Sequence, residues 1–394
     1  MNSNNQFEKP QTVNRRTFLQ TGAAAAAALI STPMINFAQS KKIRIGVIGC
    51  GSVSNAYLPH LSKCPYAELV SACDIIVERA ERQAKWFNIP HVYPNIDAML
   101  TGAPFDLLVN LTDMQAHEHL NRKALEAGKH VWSEKPMANS YAAGVELLKL
   151  ARRKNLRLWG APAMVESPAF AIMAKILAEG KLGDLAAVHA FYGHTGPWWS
   201  SFFYEKGGGS MPDLMVYNLT TVTGLVGPAK AVTAMTSIVT PTREIDGKGR
   251  IKVEAEDNAM VLLDHGKGII SHVQSGFNYF NPHGHEGKEE SRYTIQFFGT
   301  KGFMGLLGYD WEPLAVEIAT EDAPKIERIS LGQHNFVWQM GASLACESLA
   351  TGRELLITPE HALHVLEIIQ AARESQAKGR RIALRSTFKY PIVA

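Results

Sequence analysis

A chain of 394 residues is longer than one ordinary domain, and its length calls for about two. With 46% hydrophobic and 20% charged residues it can bury full cores, which excludes a disordered or low-complexity protein. The 40 Lys and Arg against 37 Asp and Glu leave a formal charge of +3 with no basic stripe, so nucleic acid and anionic membranes are not expected partners.

The chain opens on an address. Arg15 and Arg16 precede an Ala-rich apolar run at 22–30, and Ala38-Gln39-Ser40 offers small residues for cleavage, so residues 1–40 read as a twin-arginine export signal. The apolar run falls short of the roughly 20 residues a spanning helix needs, so no stable membrane span is expected. Removing residues 1–40 takes away Lys9, Arg15, Arg16 and Glu8 and leaves a nearly neutral chain, expected outside the cytoplasm. Its cysteines, Cys50, Cys64, Cys73 and Cys346, form no C-x-x-C and have no His at ligand spacing, so neither a disulfide framework nor a zinc site is expected. A route that carries folded proteins suits a chain that acquires a cofactor before export.

The β-branched run 43–48 predicts a buried strand, followed by Gly49-Cys50-Gly51 and an amphipathic helix over 52–61. Such a strand-turn-helix suits a dinucleotide: Gly49 permits the turn, Gly51 lets backbone approach a pyrophosphate, and the helix start at Ser52 and Val53 offers unpaired N–H groups. Ser54 takes the place of the usual third glycine. A second strand, 67–74, ends on Asp74, 23 positions beyond Gly51, where a carboxylate is expected to meet the adenosine ribose hydroxyls or to cap the helix that follows from Glu78. Ile75 and Ile76 follow in place of a basic residue, which favours NAD over NADP. Further strands over 105–112 and 130–133, with a helix over 116–127 between them, imply a parallel doubly wound sheet. Ligands of such a sheet sit outside the strand C-termini, which puts the glycine turn, Asp74, residues 112–117 and residues 134–136 along one crevice.

The segments GVIGCG, VNLTDMQAHEH and EAGKHVWSEKPMA together resemble the Gfo/Idh/MocA oxidoreductase family, and the resemblance runs from residue 41 to the C-terminus. It implies an α/β protein, with an N-terminal Rossmann dinucleotide-binding domain over 41–162. It also implies a C-terminal α+β domain over 163–394 that carries a large open, mostly antiparallel sheet. The free face of that sheet implies homo-oligomers, dimers or tetramers. The resemblance places Lys135 near the nicotinamide and substrate, gives Pro136 a position that is commonly cis, and puts His117 beside the cofactor. The cofactor set is then Gly49, Gly51, Ser52, Val53, Asp74, Arg79, Thr112, His117, Glu134 and Lys135.

Beyond residue 167 the texture changes to a helix and its cap over 168–183, a strand over 185–192, and period-2 runs at 255–277, 292–298 and 303–307. A long helix is predicted over 359–378. Ahead of the first of these helices relatives often carry an aromatic residue and an Arg where this chain has Ala163-Met164-Val165-Glu166, which leaves any contact made by that Arg in question. Between the strands, the glycine run 207–209 leads into Asp213 and Tyr217. Many relatives place a His at the Tyr217 position and a second Asp at that of Thr220. Members resembling glucose-fructose oxidoreductase and the dihydrodiol dehydrogenases instead use a tyrosine as acid/base. Residues four apart share a helix face, so Asp213 and Tyr217 are expected to enter the cleft together. Oxidising a secondary alcohol takes a hydride and a proton, and an ammonium near a tyrosine favours its phenolate. Lys135, Tyr217 and Asp213 are therefore the catalytic candidates.

His194, Trp198, Trp199 and Tyr204 precede the glycine run and offer aromatic faces suited to sugar rings, or to packing. His283 and His285 read as a solvated pair, and no metal is expected. The function expected is an NAD-dependent oxidoreductase acting on a sugar or sugar derivative. Outside the cytoplasm no soluble NAD pool recycles the cofactor, so it would be held tightly and turned over in place. Either paired sugar oxidation and reduction, or NAD-dependent glycoside hydrolysis by oxidation, elimination, hydration and reduction, meets that demand.

Overall fold

The computed structural model describes residues 42–280 and 292–393. The expected export signal and the His283/His285 pair lie outside the described residues.

The strand β1 (Ile43–Ile48) is flanked in parallel by β2 (Ala67–Cys73) and β4 (Leu107–Asn110). The helices α1 (Ser54–Leu61) and α2 (Val77–Phe87) follow β1 and β2. With β3 (His91–Tyr93), β5 (His130–Ser133) and β6 (Leu158–Gly160) they build a six-stranded sheet in the order β3-β2-β1-β4-β5-β6. The order reverses between β1 and β4, which opens the crevice where such sheets bind ligands. Helices α3 (Ile96–Thr101), α4 (His117–Glu126) and α5 (Tyr141–Arg153) complete this layer. Its strands read as continuous apolar runs because both faces are covered: Ile45, Val47, Leu107, Leu108 and Val109 are fully buried.

Helix α6 (Pro168–Ala178) starts on Ser167, whose side chain accepts from the Phe170 N–H, with Pro168 in the first turn. The second sheet follows. It has nine strands among the described residues: β7 (Leu185–Gly193), β8 (Ala231–Ser237), β11 (Asn258–Gly266), β12 (Ile269–Gly276), β13 (Tyr293–Gly299), β14 (Gly302–Tyr309), β15 (Glu312–Thr320), β16 (Glu327–Ser330) and β17 (Ile382–Ala383). A separate hairpin joins β9 (Thr242–Ile245) to β10 (Gly249–Lys252). The nine strands run in the order β16-β15-β14-β13-β7-β12-β11-β8-β17, antiparallel except where β7 pairs with β12. The fold class read from the sequence is therefore the one observed. Residues along β11 alternate between buried and more exposed, because one face of the sheet is covered, with helix α7 (Val216–Val226) on β7 and β12, and the other is open.

Between β7 and α7 a single π-turn, Met211–Met215, leads directly into the helix. Helix α8 (Gly341–Thr351) lies against β1 and β2. Helix α9 (Pro359–Lys378) ties both sheets together, packing on α5, α7 and β8. Thr358 caps it by accepting from the His361 N–H, and Gly379 ends it in the left-handed region. No helix among the described residues is long and apolar enough to cross a membrane.

Candidate active site

A cleft of about 940 Å³ runs from the glycine turn along the ends of β1, β2, β4 and β5 to α7. It lies at the large end of the ~300–1,000 Å³ typical of ligand and cofactor sites. All ten residues of the expected cofactor set line it, as do Asp213 and Tyr217.

The turn is built for backbone proximity. Gly49 has φ +88°, and a Cβ there would stand 2.5 Å from the Leu111 carbonyl carbon, so no other residue fits. The Cβ that Gly51 lacks would meet only Arg79 Nη1, at 3.9 Å, and the space it leaves open belongs to the cleft. The small residue at position 54 also has a structural account: Ser54 is fully buried, its hydroxyl donates to the Gly51 carbonyl at 2.6 Å and accepts from Gln83 Nε2 at 3.0 Å. Asp74, nearly buried at the end of β2, accepts from the Cys50 N–H at 2.7 Å and from the Ile76 N–H at 2.8 Å. Each carboxylate oxygen keeps a second lone pair for a ribose hydroxyl. An open glycine cradle, the first amides of α1 and an oriented carboxylate are the donor set a dinucleotide requires, so these residues fit NAD.

The next two strand ends are cross-braced. Asn110 Nδ2 donates to Asn121 Oδ1 at 2.9 Å, and Asn121 Nδ2 donates to Ser133 Oγ at 2.8 Å and to the Met137 carbonyl at 3.0 Å. Thr112 Oγ1 donates to Asn110 Oδ1 at 2.7 Å. His117 is buried, with its ring nitrogens 2.9 Å from the Thr112 carbonyl and 2.8 Å from the Pro136 carbonyl. Burial lowers its proton affinity, and a neutral ring donates to only one of the two carbonyls. His117 is thus wedged between two cleft-edge loops and hydrogen-bonded to one of them. The Lys135–Pro136 bond is cis, as the resemblance implied.

Glu134 is a fixed carboxylate beneath the cleft. It accepts from the fully buried Tyr57 hydroxyl at 2.6 Å and from the Lys135 N–H at 3.0 Å. Lys135 then reaches the π-turn, where its Nζ donates to Asp213 Oδ1 at 2.8 Å and to the Asp213 carbonyl at 2.9 Å. The two side chains are only 11% and 12% exposed. The same ammonium lies 5.2 Å from the Tyr217 ring centroid. Asp213 sits in the π-turn and Tyr217 one residue into α7, so the two meet Lys135 across a bulged turn rather than from one regular helix face. Burial first, then the carboxylates of Glu134, Asp213 and Asp310, push the Tyr217 phenol well above its ordinary value of 10.0. That is the reverse of the lowering expected from Lys135, whose charge is engaged by Asp213.

The glycine run sets this turn. Gly209 has φ +110°, and its N–H donates to the Phe203 carbonyl at 2.7 Å, folding the aromatic loop back against the π-turn. From that loop His194 and Trp199 line the cleft. Tyr204 does not: it is fully buried, its hydroxyl donates to the Pro197 carbonyl at 2.8 Å, and Arg243 covers its ring. Trp198 is half exposed and stands against Trp199 instead. Thr220 folds its hydroxyl back onto the Val216 carbonyl, and Glu166 binds the Leu356 N–H and Arg353, away from the cleft.

Sequence reasoning missed part of the wall. Tyr192, Trp311 and Trp338 line the cleft around Tyr217, with Tyr192 6.2 Å and Trp338 6.1 Å from its ring centroid. Trp311 stacks on Tyr309 at 5.3 Å. The alternation of β7 marked Tyr192 as facing one side of the sheet; nothing local marked the two tryptophans, which lie in a hairpin turn and an irregular segment.

Comparison with known proteins bears on the fold that holds this cleft. The family model described as "Oxidoreductase family, NAD-binding Rossmann fold" matches residues 43–161, and the "GFO/IDH/MocA C-terminal domain" matches residues 170–304. The chain is 28% identical over 256 residues to dTDP-3,4-didehydro-2,6-dideoxy-alpha-D-glucose 3-reductase of Saccharopolyspora spinosa, covering 62% of this chain and 74% of the relative. Levoglucosan dehydrogenase, solved in complex with NADH and L-sorbose, superposes with a TM-score of 0.76 at 18% identity, over 88% of this chain and 100% of its own. Aldose-aldose oxidoreductase from Caulobacter crescentus, complexed with glycerol, gives 0.73 at 21% identity, over 87% and 100%. The two solved structures share the fold. With both halves matched by its models and a glycine-turn crevice that fits NAD, the chain belongs to the Gfo/Idh/MocA family of NAD-binding oxidoreductases.

Proposed function

We propose that this protein moves hydride between the secondary alcohol of a sugar or sugar derivative and NAD, with Lys135 and Tyr217 at the chemical step. The observation that carries the reading is the Lys135–Asp213 ion pair at 2.8 Å, 5.2 Å from Tyr217 to Lys135, in the same cleft as the glycine turn. The residues divide at about 162: the first part holds the cofactor and the second supplies Asp213, Tyr217 and the aromatic wall. Bound NAD supplies the hydride acceptor and, once reduced, the donor.

Lys135 donates to the reacting oxygen and stabilises negative charge there, while Asp213 fixes the direction of its ammonium. Tyr217 exchanges the hydroxyl proton. Its raised proton affinity makes it a good donor in the reducing direction, and it becomes a base only when positive charge gathers beside it. Tyr192, Trp199, Trp311 and Trp338 offer apolar faces to a sugar ring and exclude water.

Export by the twin-arginine route, suggested by residues 14–40, fits a cofactor that stays bound through an oxidation and a matching reduction. The sugar-directed names of the relative and neighbours support the substrate class. Exposed Met235, Met260, Leu262 and Ile270 on the adjoining strands β8, β11 and β12 support pairing of that sheet with a second copy.

The test is the absorbance of protein purified without added cofactor, recorded while single sugars and chromogenic glycosides are added. A reduced-nicotinamide band that one sugar raises and another removes is the expected result. Release of an aglycone with no net reduction assigns the hydrolytic cycle, and absence of bound nicotinamide refutes retention.

A further inference from the structure

Against the helix that carries Tyr217 lies a buried carboxyl that the chemistry above does not use. Asp310 follows Tyr309 at the turn between β14 and β15 and is 3% exposed. Its Oδ2 accepts from Thr221 Oγ1 at 2.9 Å and from Asn218 Nδ2 at 3.3 Å. Both donors belong to α7: Asn218 is the residue after Tyr217, and Thr221 stands one turn on, on the Tyr217 face. The next residue of the β14–β15 turn is Trp311, so one carboxyl joins the acid/base helix to a face of the cleft wall.

The cluster is incomplete in one respect. Asp310 Oδ1 and Asn218 Oδ1 are both buried without a hydrogen-bond partner. Both are acceptors, and a buried acceptor left unmet costs about 1–3 kcal/mol. A proton on Asp310 gives its carboxyl a donor that the ionised form lacks. Burial raises the Asp310 carboxyl to about 6, against the pull of Thr221, Asn218 and the nearby amides of residues 310 and 311. The charge of Asp310 in turn opposes ionisation of Tyr217 and of Tyr192 on β7. The other groups facing Tyr217 are Glu134 at the end of β5, Asp213 in the π-turn, Tyr57 on α1 and the Lys135 ammonium.

We propose that Asp310 is a positioning residue for Tyr217: through Thr221 and Asn218 it clamps α7, the helix that carries Tyr217, to the β14–β15 turn that brings Trp311 to the cleft. The proposal rests on the acid/base reading of Tyr217. Protonating Asp310 removes a charge that opposes ionisation of Tyr217. Asp310→Asn mimics the protonated state, because its amide donates where Oδ1 does not and keeps an acceptor for Thr221.

The test uses the NAD-loaded protein. A tyrosinate difference titration is recorded for wild type, Asp310→Asn and Tyr217→Phe, the last identifying which phenol is Tyr217. In Asp310→Asn that phenol is expected to ionise at lower pH, and sugar oxidation on the rising limb to run a few-fold faster. The two proteins are expected to converge as pH falls below about 6, where wild-type Asp310 carries its own proton. Thr221→Val removes a bond to the ionised form, and the wild-type inflection near 6 is expected to move up. An unchanged Tyr217 titration, or an inflection that Thr221→Val leaves in place, overturns the proposal. Full turnover in Tyr217→Phe overturns the acid/base reading instead, and a shifted phenol titration would still support the clamp.

Discussion

Replacing Lys135 by Met keeps the apolar stem and removes the ammonium, and its cost divides into two parts that separate experiments read. Nζ makes two hydrogen bonds to Asp213, at 2.8 and 2.9 Å, and both side chains are about nine-tenths buried. Removing one partner of such a pair strands the other charge, which costs about 3–5 kcal/mol when burial is complete. Because this pair faces an open cleft, about 3 kcal/mol is expected in urea unfolding. The double variant Lys135→Met/Asp213→Asn removes both charges and is expected to recover about 2 kcal/mol of that loss. Turnover behaves differently. The donor to the reacting oxygen is absent in both proteins, so kcat is expected to fall by roughly 10²–10³ in each, without recovery in the double variant. Urea melts and sugar-dependent nicotinamide reduction supply the two readouts. Stability of Lys135→Met within ~0.5 kcal/mol of wild type would refute the buried pair, and return of turnover in the double variant would refute the role given to the ammonium.

Three further outcomes follow from the geometry. Tyr217→Phe is expected to keep NAD binding and lose about 10²–10⁴ in kcat, checked by steady-state kinetics; full turnover would take the phenol out of proton transfer. Asp74→Ala removes the acceptor of the Cys50 and Ile76 N–H groups and the carboxylate placed for the ribose, so NAD affinity is expected to fall about 10–100-fold and the preference over NADP to narrow, measured by calorimetry. Burial lowers His361 to about 3 and His364 to about 4 from 6.5, so both are neutral in the folded protein and protonate on unfolding. The unfolded chain then binds more protons below pH 6.5, so stability is lost as pH falls from there toward about 4. His364 alone accounts for roughly 3 kcal/mol over that window, and urea midpoints that stay flat between the two pH values would contradict it.

The Rossmann half was legible because its signals are local. Gly49, Gly51 and Asp74 act within their own βα units, and the strand 130–133 emerged with the predicted bounds. Edges drifted where buried residues continue past a strand: Phe105 is buried core but β4 starts at Leu107. The second sheet was legible as strands but not as an order, since pairing β7 in parallel with β12 is a long-range choice with no local mark. The same limit applies to the site. Lys135, Asp213 and Tyr217 were found by motif, while the Asp310 clamp and the Trp311 and Trp338 faces arise only when α7 packs beneath the sheet. A helical spacing of four could not foresee the π-turn that places Asp213. Nor could a count of charges foresee that Asp213 would take up the Lys135 ammonium and leave Tyr217 among three carboxylates.

The central claim is that a sugar carbon gives its hydride directly to the bound cofactor. A single turnover with a fully deuterated sugar, followed by denaturation and mass spectrometry of the released nicotinamide, tests it. Reduced NAD carrying one deuterium from the sugar is the expected product. Reduced NAD without deuterium, or no reduction by any sugar, would contradict it.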